Sequence, residues 1–243
     1  MVYRQAEALV TSTEPQPSLL WIHGGPSSVD RWGFNGRAQY FANLGFVVVT
    51  VNYRGSSGFG LAHHDAVLGA GVGKADLEDC VAAAAHIRTH AAEMGVDLSR
   101  RIGVGGHSWG GYLTLMCMCS PDAEGVFSCG VAGAGIADWI TQLRETELRG
   151  YDRQILGGWV HEGDLRERAV ERSPITHAER LAAPMLVLHG ADDLNVPYSQ
   201  IVDFVDAAKS ATDPHARVEF VSYVRPAPTR QRAYQPAPFG LGC

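Results

Sequence analysis

A chain of 243 residues, 46% of them hydrophobic, can bury one sizeable core, and α/β folds of this length commonly form a single domain. The formal net charge of -6 argues against nucleic acid or an anionic membrane as the main partner, because both need clustered Lys and Arg. The longest apolar runs, such as Phe46 to Val51, fall far short of a membrane span, and the first residues lack the layout of a signal peptide. The expectation is therefore a cytoplasmic protein.

In chain order, residues 1-17 carry mixed character and end in Glu14-Pro15-Gln16-Pro17, which reads as a lead-in to the first strand. Ser18 to His23 is a buried-strand candidate that stops at Gly24-Gly25-Pro26. Arg37 to Asn43 reads as a helix, and the β-branched run Phe46 to Asn52 as a second strand. That strand ends in the glycine-rich stretch Tyr53 to Gly60. A phosphate-binding loop at Gly73-Lys74 is excluded, since Leu68 stands where a Gly is required and Ala75 where a Ser or Thr is required. Leu77, Cys80, Val81, Ala84 and Ile87 recur at helical spacing, predicting an amphipathic helix over Lys74 to Glu93 with Asp76, Glu78 and Asp79 on a solvated face.

The apolar run Arg101 to Gly105 and the helix-like run Tyr112 to Cys119 flank Gly106-His107-Ser108-Trp109-Gly110-Gly111. A Gly-x-Ser-x-Gly between a strand and a helix is the context of a nucleophile elbow, in which small neighbours tolerate the strained backbone and leave Ser108 Oγ exposed. Phe127 to Ala132 follows as a strand. Ala137 to Val170, richer in charge and holding Trp139, Tyr151 and Trp159, reads as inserted helices: either a substrate-pocket wall or an ordinary packed excursion. Met185 to His189 is a further strand running into Gly190-Ala191-Asp192-Asp193, Tyr198 to Lys209 a helix, and Arg217 to Tyr223 a last strand.

Short buried strands alternating with helices predict a mostly parallel sheet with helices on both faces, whose chemistry collects at the C-terminal strand ends. Gly24-Gly25, Ser108 and Asp192-Asp193 all fall there. The five cysteines (Cys80, Cys117, Cys119, Cys129, Cys243) form no C-x-x-C pair, four of them lie in apolar segments, and they read as buried thiols rather than disulfide or metal ligands. His63-His64 has no third ligand at a zinc-like spacing and reads as a loop pair, so no metal and no cofactor is expected.

Five segments in order carry a resemblance: Trp21 to Pro26, Asn52 to Gly60, Gly106 to Tyr112, Ser173-Pro174-Ile175 and His189 to Pro197. Together they resemble the catalytic domain of the prolyl oligopeptidase family of serine peptidases, in its acylaminoacyl-peptidase-like branch. The resemblance covers residues 18-223 and implies an α/β-hydrolase fold with a peptide or acyl-peptide as substrate. Motif by motif it implies Ser108 as nucleophile and Asp193 as triad acid, with Asp192 the alternative. It also implies an oxyanion hole built from the Trp109 N–H and the loop His23-Gly24-Gly25. His107 and His189 read as scaffold histidines.

The pattern then breaks. The family's triad histidine lies after the last strand, but residues 224-243 hold four prolines and no histidine, and His215 precedes that strand. This Pro/Arg-rich tail reads as the product of a frameshift or truncation, leaving the fold incomplete at its C-terminus and prone to self-association through exposed sheet surface. Three functions follow as expectations: a serine peptidase impaired by the missing base, a carboxylesterase of the same fold, or a catalytically dead hydrolase fragment.

Overall fold

The computed structural model describes residues 1-4, 14-100, 102-211, 213 and 216-224. The tail at 225-243 and His215 lie outside these. Seven strands form one sheet: β1 (Val2–Tyr3), β2 (Ser18–Ile22), β3 (Val47–Val51), β4 (Ile102–His107), β5 (Phe127–Gly133), β6 (Met185–Gly190) and β7 (Val218–Tyr223). Their order is β1-β3-β2-β4-β5-β6-β7, with β1 antiparallel to β3 and every other pairing parallel. The expected parallel α/β sheet is what the structure contains. All five residues of β2 are buried, as a central strand covered on both faces requires.

Side-chain alternation along β2 divides the interior. Leu20 and Ile22 enter the larger cluster with Ile87 of α3 (Ala75–Thr89) and Leu113 of α5 (Trp109–Cys119). Leu19 and Trp21 join Ala38 and Ala42 of α1 (Gly36–Asn43) in a smaller one. A period of two therefore assigns the layers, with α1 on one face and α3 and α5 on the other. Every residue of α5 is buried, which its apolar composition all round demands.

Four local differences from the sequence reading have simple causes. The predicted helix over Lys74 to Glu93 is broken at His90 (φ -108, ψ 19) into α3 and α4 (Ala91–Met94), after which the left-handed Gly95 turns the chain so that Val96 bridges Gln16. Two elements, β1 and α2 (Leu61–Asp65), are too short for any period to show in the sequence. Asp76, expected on a solvated face, is fully buried. The insertion holds α6 (Trp139–Glu145), α7 (Arg149–Leu156) and α8 (Leu165–Glu171), and α9 (Tyr198–Ala208) precedes β7.

No helix among the described residues is long and apolar enough to cross a membrane. Truncating Leu20, fully buried at the centre of the sheet, should cost about 2–5 kcal/mol through lost transfer energy and a cavity. Urea unfolding of Leu20→Ala checks this as a lower midpoint at unchanged slope.

Candidate active site

Ser108 sits between β4 and α5 with φ 59 and ψ -120, a left-handed conformation costing a residue with a side chain about 1–3 kcal/mol. Two backbone bonds hold it there: Ser108 N–H donates to the Gly133 carbonyl at 2.8 Å, and Tyr112 N–H to the Ser108 carbonyl at 2.9 Å. The glycines flanking the turn are sterically required. A Cβ at Gly110 would lie 2.1 Å from the Ile22 carbonyl oxygen, and one at Gly106 would lie 2.4 Å from the Gly110 oxygen. Ser108 itself is half-buried, so its hydroxyl is accessible.

Strand register brings the candidate oxyanion loop beside it. Ile22 pairs with Gly106, which sets His23 and Gly24 alongside His107 and Ser108. A Cβ at Gly24 would stand 3.9 Å from Ser108 Oγ and 3.0 Å from the His107 carbonyl. The His23 imidazole is turned inward, stacked on Tyr53 with 4.5 Å between ring centroids. Burial holds its pKa below the ordinary value, so it is neutral near pH 7. It donates Nδ1–H to the Gly24 carbonyl at 2.7 Å, and its Nε2 lies 2.9 Å from Ser56 Oγ, whose hydroxyl donates to the Tyr53 carbonyl at 2.7 Å. Tyr53 donates its hydroxyl to the His23 carbonyl at 3.0 Å. Two side chains of the glycine-rich stretch therefore fix the loop beside Ser108, while the His23 side chain is unavailable to a ligand.

Trp109 opens α5, and its N–H belongs to the first turn, where no carbonyl of the same helix can accept it. Its indole donates Nε1–H to Asp76 Oδ2 at 3.0 Å and packs edge-on against Tyr112 and Trp139. Desolvation raises the Asp76 carboxyl to about 7, against the lowering effect of the hydrogen bonds from Trp109 and Leu77. Sequence reasoning missed Asp76 because helical spacing does not tell a solvated carboxylate from one meeting an indole 33 residues away.

Asp193 follows β6 in a loop whose shape its own side chain sets. Oδ1 accepts the N–H groups of Asn195 and Val196, each at 2.9 Å, and Oδ2 lies 3.9 Å from His189 Nε2. His189 is buried and donates Nε2–H to the Val196 carbonyl at 2.8 Å. Burial depresses its pKa, which keeps the ring neutral and in a scaffold role. Asp192 is exposed. Because β4 and β6 flank β5, two strand spacings, about 10 Å, separate the ends bearing Ser108 and Asp193. The His107 ring leans over Gly133 of β5, where an added Cβ would come within 3.0 Å of its Cδ2. Beside Asp193, a cavity of about 640 Å³ is lined by Glu147, Gly190, Asp193 and Tyr223 among others.

The inserted helices clamp this loop. Gln142 donates Nε2–H to the Asn195 carbonyl at 2.8 Å and to Asp152 Oδ2 at 2.7 Å, and its Oε1 accepts from Gln200 Nε2 at 2.7 Å. Gln200 Oε1 in turn accepts the N–H groups of Ala137 and Asp138, each at 2.8 Å. Thr146 Oγ1 adds a bond to the Asn195 carbonyl at 2.7 Å. Tyr151 of α7 reaches the Gly25 carbonyl at 3.5 Å, so the insertion touches both the acid loop and the glycine loop. These residues carried no sequence signal beyond the charge and aromatic content of the insertion.

The prolyl oligopeptidase family model matches residues 32-223. Among curated proteins, the chain is 34% identical over 216 residues to the dipeptidyl aminopeptidase BIII of Pseudoxanthomonas mexicana, covering 85% of this chain and 30% of that protein. It is 31% identical over 201 residues to the acylamino-acid-releasing enzyme of Arabidopsis thaliana, covering 79% of this chain and 25% of that protein. Among solved structures, an acylaminoacyl peptidase in complex with Z-Gly-Gly-Phe-chloromethyl ketone superposes with a TM-score of 0.79 at 26% identity, covering 93% of this chain and 34% of that one. The chain thus spans between a quarter and about a third of the length of these proteins.

Two outcomes test this geometry. Folded Asp76 keeps its proton up to about pH 7, whereas in the unfolded chain it ionises near about 3.9. Wild type should lose on the order of 4 kcal/mol relative to Asp76→Asn as pH rises through this window, with the difference flat above it. Urea titrations at several pH values measure it. Gln142→Met, which strands buried polar partners, should cost about 1–3 kcal/mol by the same method.

Proposed function

The chain belongs to the prolyl oligopeptidase family, and we propose that it is the catalytic domain of a serine peptidase that cleaves peptide or acyl-peptide bonds through an acyl-enzyme on Ser108. The observation that carries this reading is the elbow itself: a half-buried serine at φ 59 on a strand-to-helix turn, with Gly24 against its side chain. Ser108 Oγ attacks the carbonyl carbon as its proton passes to a base. The developing oxyanion takes hydrogen bonds from the Trp109 N–H and the Gly24-Gly25 loop, and Asp193 Oδ2 orients the base. Such donors act in the transition state, where charge appears, so they lower the barrier rather than tighten substrate binding.

The base is the open part of the mechanism. After Asp193 the sequence contains one histidine, His215, which precedes β7. Without a base, the nucleophile and oxyanion loop retain only a small part of the activity, a loss on the order of a million-fold in a serine protease. This observation favours a second reading, a family member that binds but turns over little. We read its location as cytoplasmic, a reading supported by the free, buried thiols of Cys80, Cys117 and Cys119.

A fluorophosphonate probe tests the assignment. We expect covalent modification of Ser108, abolished in Ser108→Ala and slowed at least tenfold in Gly24→Ala, whose new methyl meets the His107 carbonyl at 3.0 Å. Added imidazole should accelerate the labelling by supplying the base, and Asp193→Asn should blunt that acceleration. Absence of label on Ser108 with and without imidazole would overturn the nucleophile assignment.

A further inference from the structure

The glycine loop carries a second serine with its own hydrogen-bonded acid and imidazole. Ser27 Oγ lies 3.0 Å from His64 Nε2, and His64 Nδ1 lies 2.7 Å from Asp65 Oδ1. The connectivity, hydroxyl on one ring nitrogen and carboxylate on the other, is what general-base activation of a hydroxyl requires. The carboxylate fixes the tautomer with the proton on Nδ1 and leaves Nε2 as the acceptor for the Ser27 proton. We propose that Ser27, His64 and Asp65 form a second nucleophilic site, able to accept an activated acyl or phosphonyl group on Ser27 independently of Ser108.

Both sides of the array are held by backbone. Ser57 donates its hydroxyl to the Ser27 carbonyl at 2.6 Å and its N–H to the Ser28 carbonyl at 3.0 Å. On the other side, His64 N–H donates to the Gly60 carbonyl at 3.1 Å, and Gly55 N–H to the His63 carbonyl at 2.9 Å. His63 donates Nε2–H to the Tyr53 carbonyl at 2.9 Å, which secures α2 to the loop that also holds His23. Ser27 is half-buried, and the His64 and Asp65 side chains are 35% and 55% exposed, so a small reagent can reach the hydroxyl. That exposure also solvates the His64–Asp65 hydrogen bond, so the site should act only on activated electrophiles. Tyr151 borders it, its hydroxyl 3.5 Å from the Gly25 carbonyl.

With a p-nitrophenyl ester, the Oγ–carbon bond forms as the Ser27 proton moves to His64 Nε2. Collapse of the tetrahedral adduct breaks the carbon–oxygen bond, and the departing nitrophenolate takes that proton back. Water, deprotonated by the same ring, then releases the acyl group as the carboxylic acid and restores the serine. With a fluorophosphonate, the phosphorus–fluorine bond breaks, fluoride leaves, and the serine ester persists.

The test uses the full chain carrying Ser108→Ala, so it does not depend on the assignment of Ser108. After exposure to fluorophosphonate or p-nitrophenyl acetate, peptide mapping by mass spectrometry should find the adduct on Ser27. In Ser108→Ala/His64→Gln the rate of adduct formation on Ser27 should fall at least tenfold, and Asp65→Asn should lower it severalfold. His64 and Asp65 are surface-accessible, and circular dichroism confirms the fold of each variant. No adduct on Ser27 in Ser108→Ala, or an equal rate with Gln at 64, would reduce the array to a tether between the loop and α2 and overturn the proposal.

Discussion

The approach of α5 to the ends of β2 and β4 is the constraint on which the site depends. Backbone meets backbone there: the Ile22 carbonyl occupies the space a Gly110 side chain would need, and the Gly110 carbonyl the space of one at Gly106. With the helix seated so close, Ser108 has only a sharp turn in which to join strand to helix. The left-handed backbone at Ser108 follows, and the packing of a wholly buried α5 against the sheet outweighs its cost. Hydrophobic burial therefore presents a polar, half-buried side chain at the turn.

Around this elbow, each loop is fixed by polar groups that the sheet alone would not hold. Tyr53 and Ser56 pin the His23-Gly24 loop, Asp76 holds the Trp109 indole, and the Gln142–Gln200 pair fastens the Asn195 carbonyl to the inserted helices. Buried amides and carboxylates in such positions are costly unless satisfied, and here the pairs satisfy one another. The insertion, which in the sequence could be either wall or excursion, touches the Asn195 loop through Gln142 and the Gly25 loop through Tyr151.

Much of the architecture was legible in advance because its signals are local. The β-branched run at Val47 to Val51, the apolar stretches of β2 and β6, and the glycines around Ser108 each announce their element within a few residues. What was not legible depends on partners distant in sequence. Asp76 belongs to the polar face of an amphipathic helix until Trp109 is known to stand over it, and His64 is one of a loop pair until Ser27 is brought against it. The β1 strand has no pattern of its own and exists only because β3 offers an open edge.

The sequence by itself determined the α/β class, the elbow at Ser108, the loop at Gly24 and the family, since five motifs in fixed order each rest on a backbone or side-chain requirement of a short segment. Only the tertiary structure decided which groups meet: that Gly24 abuts Ser108, that Asp193 spends one oxygen on its own loop and turns the other toward His189, and that Ser27, His64 and Asp65 align. The reason is range. Propensity and periodicity act over a turn or a strand, whereas a site is made by register and packing between segments tens of residues apart.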